Sequence, residues 1–145
     1  MQNKILFAGV LKYLAKRARS KKEIIDWLNK KGATSEIENE ILQKLTSLKL
    51  IDDLSYAESF IRTRMLLKPR SIRVLKLELT QKGISKEIFE EALDLNKVDE
   101  EVEAKKLIEK NIWRWKKFDE KTTNQKIREF LMRKGFGFNV IKKLE

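Results

Sequence analysis

The chain contains neither cysteine nor histidine among its 145 residues. The absence of both excludes disulfide bonds, zinc sites built from these side chains, cysteine nucleophiles and every catalytic triad that needs an imidazole base. The sequence also has a single proline and only five glycines, a composition that suits uninterrupted helices. We therefore expect an all-helical protein that is not an enzyme and that holds no metal or cofactor.

Long apolar segments are also missing. The longest apolar run near the start, residues 5–11, is stopped by Lys12 and is not followed by a clean small-residue cleavage site. A membrane-spanning helix needs about 20 apolar residues, and a secretory signal peptide needs such a cleavage site. The sequence therefore predicts a cytoplasmic protein without a membrane partner.

Charged residues, in contrast, are abundant. They make up 38% of the chain, against about 25% in an average domain. The 33 basic and 22 acidic side chains leave a formal net charge of +11. Such an excess favours a polyanionic partner, most often nucleic acid, although a protein with a merely basic surface remains an alternative.

Three segments of thirteen residues repeat along the chain, and each ends in a glycine. Each begins with Ser or Thr, has a leucine four positions before its glycine and has an isoleucine or leucine eight positions before it. These offsets place the aliphatic residues on one helix face, and the glycine suits a left-handed C-cap. The segments are SKKEIIDWLNKKG, SIRVLKLELTQKG and TNQKIREFLMRKG, which end at Gly32, Gly83 and Gly135.

Further helices are predicted on both sides of each repeated segment. Apolar residues spaced by four follow each glycine, and leading helices are predicted over residues 4–16, 53–67 and 99–117. Because so small a unit buries little core alone, neighbouring units should stack. The sequence therefore predicts an all-α fold of three tandem three-helix repeats, residues 1–50, 51–97 and 98–145, stacked into an elongated, curved solenoid-like arrangement.

Several helix starts are predicted from the capping box, in which a hydroxyl and a carboxylate or amide three residues later satisfy free backbone N–H groups. Pro69 in addition suits the first turn of a helix over residues 69–82. Four pairs fit the capping box: Ser20 with Glu23, Ser35 with Glu38, Ser55 with Glu58 and Thr122 with Gln125.

The charges of the middle repeat are strongly polarised. Residues 62–82 contain seven basic side chains and one acid, Glu78, whereas residues 87–103 contain eight acids and one base, Lys97. On the predicted helix, Arg70, Arg73 and Lys76 form a basic row away from the apolar face. The acids either pair with the neighbouring basic helix or orient a protein partner that has its own basic patch.

Two tryptophans that lie two residues apart form the other candidate site. Trp113 and Trp115 point about 200° apart on a helix, so they cannot both face one core. One alternative is that one indole is exposed beside Arg114, where it could stack on a base or anchor a protein interface. The other is that both are covered, one by its own repeat and one by the preceding repeat.

Residues 17–32 and 51–93 together closely resemble the bacterial regulatory protein family RecX. The shared features are an Arg-x-Arg-Ser helix start, a Leu/Ile-Asp-Asp followed by a small residue, an Arg-rich turn and a closing Lys-Gly-Ile/Val. They fall on Arg17, Arg19, Ser20, Asp52, Asp53, Ala57, Arg64, Arg70, Arg73, Lys82, Gly83 and Ile84. The third repeat matches in pattern more than in residues, and the step from Lys68 to Pro69 replaces a family-like glycine.

The resemblance implies a monomeric regulator in DNA recombination, DNA repair and the SOS response. Such a protein binds the RecA filament along its helical groove, inhibits its recombinase, ATPase and coprotease activities, and binds single- and double-stranded DNA weakly and nonspecifically. The candidate RecA- and DNA-binding residues are Arg17, Arg19, Lys21, Lys22, Arg62, Arg64, Lys68, Arg70, Arg73, Lys76, Arg114, Lys116 and Lys117.

Two other classes of function are compatible with parts of the pattern. The second and third helices of a repeat could form a helix-turn-helix DNA reader, although three equivalent copies without an arm or a dimer signal weaken this alternative. A nuclease could hold a metal on Asp52 and Asp53. Adjacent acids at a helix start are, however, far more often caps and partners of the helix dipole.

Overall fold

The computed structural model describes residues 2–145, so Met1, the first residue of the first predicted repeat, lies outside the described residues. Within this range the chain forms nine α-helices, one short 3-10 helix and no strand. The helices are α1 Gln2–Lys16, α2 Lys21–Lys30 and α3 Ser35–Ser47, then α4 Asp53–Leu67, α5 Ile72–Gln81 and α6 Lys86–Asn96, then α7 Glu100–Asn111, α8 Glu120–Arg133 and α9 Phe138–Lys143. The predicted all-α fold of three-helix repeats is confirmed.

The middle helix of each repeat ends in the same turn. The φ angles of Gly32, Gly83 and Gly135 are 79°, 80° and 91°, in the left-handed region that favours glycine. The residue after each glycine donates its backbone N–H to the carbonyl of the leucine four positions before the glycine, at 3.0–3.1 Å. This pattern of hydrogen bonds is a Schellman C-cap, as the repeated segments predict.

Each repeat has its own hydrophobic core, to which all three of its helices contribute. Buried side chains include Val10, Leu28 and Leu45 in the first repeat, Ile61, Leu79 and Phe89 in the second, and Leu107, Leu131 and Ile141 in the third. Apolar burial therefore holds each repeat together internally. Over residues 2–145 no helix is both long and apolar enough to cross a membrane.

The helix starts confirm one capping box and correct three. The Ser20 hydroxyl accepts the Glu23 N–H at 3.3 Å, and the Glu23 carboxylate accepts the Ser20 N–H at 3.3 Å. The other three predicted boxes are wrong because each helix begins before the predicted hydroxyl, which then lies inside the first turn. The N-caps of α3, α4 and α8 are Thr34, Asp52 and Asp119.

Two predicted helices are shorter than expected. The leading helix over residues 99–117 ends as α7 at Asn111 and continues as the 3-10 helix Ile112–Trp115. The helix predicted from Pro69 begins only at Ile72, because the Ser71 hydroxyl takes the N-cap and accepts the Val74 N–H at 3.2 Å. Arg70 therefore lies in the loop before α5 rather than on its basic face.

Candidate functional site

The first and second repeats meet at the beginning of α2. The backbone N–H of Lys21 donates to the Asp53 carboxylate at 2.8 Å, and the Lys22 ammonium donates to the Gln81 carbonyl at 3.2 Å. The turn at Gly83 packs on the same helix end, since a Cβ at this position would lie 2.5 Å from the Cβ of Lys22. Lys21 and Lys22 therefore belong to a joint between repeats as well as to the basic surface.

The second and third repeats meet in the same way at the beginning of α5. The backbone N–H of Ile72 donates to the Glu100 carboxylate at 2.6 Å. A Cβ at Gly135 would lie 2.7 Å from both the Ser71 hydroxyl and a Val74 methyl group. In both joints an acid of the following repeat satisfies a free N–H at the positive end of a helix, and a glycine turn packs beside it.

The carboxylates of the nuclease alternative both have structural hydrogen bonds. Asp52 caps α4 by accepting the N–H groups of Leu54 and Ser55 at 3.0 and 3.2 Å. Asp53 accepts the N–H of Lys21 in the first joint. These contacts favour the capping role that adjacent acids usually have at a helix start.

Two of the predicted basic site residues share one carboxylate in the first repeat. The Arg17 guanidinium lies 2.7 Å and that of Arg19 lies 3.7 Å from Glu23. Arg19 also stacks on Tyr13, 3.7 Å from the ring centroid, and is largely buried. Burial alone would raise the pKa of Glu23, but hydrogen bonds from Arg17 and the Ser20 backbone hold this pKa below its ordinary value. Arg19 is thus part of the scaffold.

Tyr56 beside this carboxylate is expected to make stability depend on pH in the alkaline range. Burial, followed by the negative charge of Glu23, raises the pKa of Tyr56 from 10.0 to about 12. Folding stabilises the neutral phenol of Tyr56. Its contribution to the free energy of unfolding is therefore complete below pH 10 and is lost as the pH rises through the pKa of the folded state, near 12. Urea unfolding across this window should show the loss, and Tyr56→Phe should not. An equal loss in Tyr56→Phe would assign the effect to another group.

The arginines of the second repeat are partly neutralised. Arg62 pairs with Glu58 at 2.5 Å, and the Nε atoms of Arg64 and Arg70 lie 3.3 and 3.4 Å from the two oxygens of Glu78. Glu78 is the only acid of this basic stretch. It therefore holds two guanidinium groups, one from α4 and one from the loop before α5.

The exposed basic row of α5 is shorter than predicted. Arg73 and Lys76 are exposed, and among residues 2–145 neither forms an ion pair. Arg70 is wrongly predicted as part of this row, because it precedes the helix and pairs with Glu78. Other predicted site residues that are exposed and form no ion pair within the described range are Lys21, Lys22, Lys68, Arg114, Lys116 and Lys117.

Among the described residues, the acidic stretch forms no ion pair with the basic stretch that precedes it, although Glu100 binds the backbone N–H of Ile72. Within residues 2–145, the ion pairs of residues 87–103 are those of Glu101 with Lys143 at 3.6 Å and of Glu103 with Lys106 at 3.3 Å. The expectation of pairing with the neighbouring basic helix is therefore wrong. The exposed acids of α6 are Glu87, Glu90, Glu91 and Asp94.

The structure decides between the two alternatives for the tryptophans. Trp115 is 6% exposed and packs edge-on against Phe130, with ring centroids 5.4 Å apart. Trp113 is 68% exposed, and the guanidinium carbon of Arg114 lies 5.9 Å from its ring centroid. The expectation that both indoles are covered is wrong, since no neighbouring repeat covers Trp113.

Arg133 and Lys134, two cations that are not among the predicted site residues, also lie in this region. The Lys134 ammonium lies 5.6 Å and the Arg114 guanidinium carbon 5.7 Å from the centroid of the Phe130 ring. The pKa of Lys134 is lowered, first by burial and then by the positive charges of Lys68, Arg114, Arg133 and Arg70. These five residues, Lys68, Arg70, Arg114, Arg133 and Lys134, form what we call the junction cluster.

One sequence signal could have pointed to the missed pair. Arg133 and Lys134 directly precede the repeated glycine Gly135, as Lys30 and Lys31 precede Gly32. Their proximity to the loop before α5 depends, however, on the packing of the Gly135 turn against the start of that helix. Sequence spacing within one repeat does not report this contact.

The fold and the surface together define a tandem three-helix-repeat protein with an uneven distribution of charge. Family models for the first, second and third three-helix domains of RecX match residues 9–45, 52–93 and 99–144. The chain therefore belongs to the RecX family.

Relatives and solved structures agree with this assignment. The chain is 40% identical over 136 residues to "Regulatory protein RecX" of Bacillus licheniformis. This alignment covers 93% of the chain and 52% of the relative. It is 36% identical to "Regulatory protein RecX" of Finegoldia magna, covering 92% and 67%. The crystal structure of RecX from Lactobacillus salivarius superimposes with a TM-score of 0.87 at 33% identity, covering 97% of this chain and 92% of that one. The chain spans about half the length of the Bacillus relative.

Proposed function

We propose that the chain is a non-enzymatic regulator that binds the RecA filament, inhibits its recombinase, ATPase and coprotease activities and makes accessory contacts to DNA. Membership of a family whose relatives are named regulatory proteins supports this function. The observation that carries it is the polarised middle repeat. Arg73 and Lys76 of α5 are exposed and form no ion pair within residues 2–145, and exposed acids follow on α6.

A filament of protein on nucleic acid is a target for both signs of charge. The basic residues of α5 suit phosphates or an acidic protein surface, whereas the acids of α6 would repel a phosphate backbone. Complementary charges across a protein interface favour one orientation of the partners over others. The mechanism we propose is that the repeats wedge across adjacent RecA protomers, which blocks filament growth or the subunit motions that accompany ATP turnover.

The charges of the third helices disfavour the helix-turn-helix alternative. In such a reader the second helix of the pair enters the major groove with its N-terminal residues against the bases. Here α3 begins with Glu36 and Glu38 in its first turn, and α6 begins with Glu87 in its first turn and has Glu90 one turn later. Carboxylates at these positions would enter a groove that the phosphates make strongly negative, so two of the three repeats are poorly suited to this role.

The test is RecA ATP hydrolysis on single-stranded DNA, with and without substoichiometric amounts of the 145-residue chain. We expect slower hydrolysis, because one wedged molecule affects several protomers of a filament. Hydrolysis that stays unchanged up to equimolar chain would contradict the proposed function.

A charge-reversal variant tests the basic row of α5. Arg73→Glu with Lys76→Glu should weaken inhibition strongly, since the partner would meet two negative charges instead of two positive ones. Exposed substitutions usually change stability by no more than about 0.5 kcal/mol, so urea unfolding should be nearly that of the wild type. Lys12→Glu with Lys30→Glu makes the same charge change on exposed residues of the first repeat and should inhibit normally. Full inhibition by the α5 variant would remove this row from the interface.

A further inference from the structure

The junction cluster gathers cations from two repeats. Arg114 and Lys134 both lie over the Phe130 ring, and the Gly135 turn packs against the start of α5, beside Arg70. Lys68 and Arg70 come from the loop before α5, Arg114 from the 3-10 helix, and Arg133 and Lys134 from the end of α8. The Gly135 turn joins these elements, because a side chain there would collide with Ser71 and Val74 at the start of α5. The glycine thus permits the close approach that gathers the cations.

Very little negative charge compensates this cluster. In the part of the chain that the structure describes, its one ion pair is that of Arg70 with Glu78, which Glu78 shares with Arg64. The Nη1 atom of Arg70 is buried and has no hydrogen-bond partner among residues 2–145, whereas buried donors normally have one. Crowded positive charges and an unused guanidinium donor are both features that an anionic oxygen would stabilise.

An aromatic surface lies beside the cations. Trp113 presents an exposed indole next to Arg114, and Arg114 contacts the Phe130 ring that also carries Lys134. Proteins that bind single strands combine a row of cations for the backbone with aromatic side chains on which bases stack. In a duplex the bases are already stacked on one another, so an exposed indole favours a single strand.

We propose that the junction cluster is a phosphate-binding site for single-stranded nucleic acid, in which a base stacks on Trp113 and the cations hold the adjacent phosphates. This proposal rests on the proposed function in one respect: the site would make the accessory DNA contact that the proposed function includes. It places this contact at the joint between the second and third repeats, on residues other than Arg73 and Lys76.

The first test measures charge. Binding of the full chain to a fluorescein-labelled oligothymidylate is followed by anisotropy over a range of salt concentrations. Arg114→Gln with Lys134→Gln should bind more weakly, and the slope of log affinity against log salt should become shallower by about 0.7 for each phosphate that the variant no longer neutralises. Lys12→Gln with Lys30→Gln, the matched control on the first repeat, should keep the wild-type slope. An unchanged slope in the junction variant would overturn the proposal.

A second pair of substitutions distinguishes loss of binding from loss of the fold. Because Arg114 and Lys134 both contact Phe130, their variant is checked by circular dichroism. Lys68→Gln with Arg133→Gln changes only exposed members of the cluster and should weaken binding in the same way. Glu78→Gln removes the carboxylate beside Arg70 and should strengthen binding, which structural damage would not do. Wild-type binding by the Lys68 and Arg133 variant would also overturn the proposal.

The third test measures stacking. Trp113→Ala should weaken binding to oligothymidylate about fivefold or more, Trp113→Phe should retain most of the affinity, and neither should change binding to inorganic polyphosphate. Equal losses for polyphosphate and oligothymidylate, or duplex binding as tight as single-strand binding, would contradict the assignment to single strands. Binding of an acidic peptide that competes for the cluster, without an effect of Trp113→Ala on the oligonucleotide, would assign the site to a protein partner instead.

The outcomes for this site and for the proposed function are separable. A chain that slows RecA hydrolysis while its junction variants bind oligothymidylate normally leaves the regulator standing and overturns the site. If the chain binds oligothymidylate through the cluster but leaves RecA hydrolysis unchanged, the site is supported and the proposed regulation of RecA is contradicted.

Discussion

Leu79→Ala should cost about 2 to 5 kcal/mol of the free energy of unfolding, the range measured for leucine-to-alanine changes in cores. Leu79 is fully buried on α5 and packs in the core of the second repeat. Removing three carbons leaves a cavity that neighbouring helices fill only in part. The second repeat also takes part in both joints, so its destabilisation should weaken contacts with the first and third repeats.

Urea unfolding followed by circular dichroism measures this effect, with Leu77→Ala as its control. Leu77 lies on the same helix but is 56% exposed, so its loss should change stability by no more than about 0.5 kcal/mol. If both substitutions cost the same, Leu79 does not contribute to the core as the structure indicates.

Gly135→Ala should destabilise the joint between the second and third repeats. A left-handed backbone costs a residue with a Cβ about 1–2 kcal/mol, and the φ of Gly135 is 91°. The new Cβ would in addition lie 2.7 Å from Ser71 and Val74, so the turn must move away from α5. The expected result is a lower free energy of unfolding and faster hydrogen exchange of the Ile72 amide, which Glu100 protects.

The first repeat provides the matched control for this substitution. Gly32 ends the same kind of turn with a φ of 79°, but a Cβ there would have no atom within 4 Å. Gly32→Ala should therefore show only the backbone strain and no change in exchange at Ile72. Equal losses of stability in the two variants, with normal exchange at Ile72, would show that Gly135 is not needed for the close approach between repeats.

The local structure of each repeat could be predicted from neighbouring residues. The glycine with a leucine four positions before it predicts both the left-handed turn and the buried face of the middle helix, and Leu28, Leu79 and Leu131 are fully buried. Helix starts were harder to predict. Ser35, Ser55 and Thr122 each follow another side chain that can cap a helix. A capping motif does not by itself say which of two nearby candidates the backbone uses. The repeat boundaries 1–50, 51–97 and 98–145 stay a prediction.

The candidate site depended less on local pattern. The sequence indicated that Trp113 and Trp115 face different ways, but which of them is exposed depends on where Phe130 of α8 packs. Arg70 was expected on a helix face, yet α5 begins only after the Ser71 cap, so Arg70 lies in the preceding loop and pairs with Glu78. Helix phase sets the relative directions of side chains, whereas contacts with other helices decide which direction faces solvent.

The sequence by itself determined the all-α class, the threefold repetition and the excess of positive charge, because these follow from composition and from offsets of a few residues. The family was recognised from the resemblance of residues 17–32 and 51–93 to its motifs. The tertiary structure alone decided how the repeats join and which cations meet. Glu100, for example, accepts the N–H of Ile72 at the start of α5, and Lys134 joins Arg70 in the junction cluster. Both lie far along the chain from Arg70. Contacts at such separations arise only when whole helices pack, and periodicity within one segment carries no information about them.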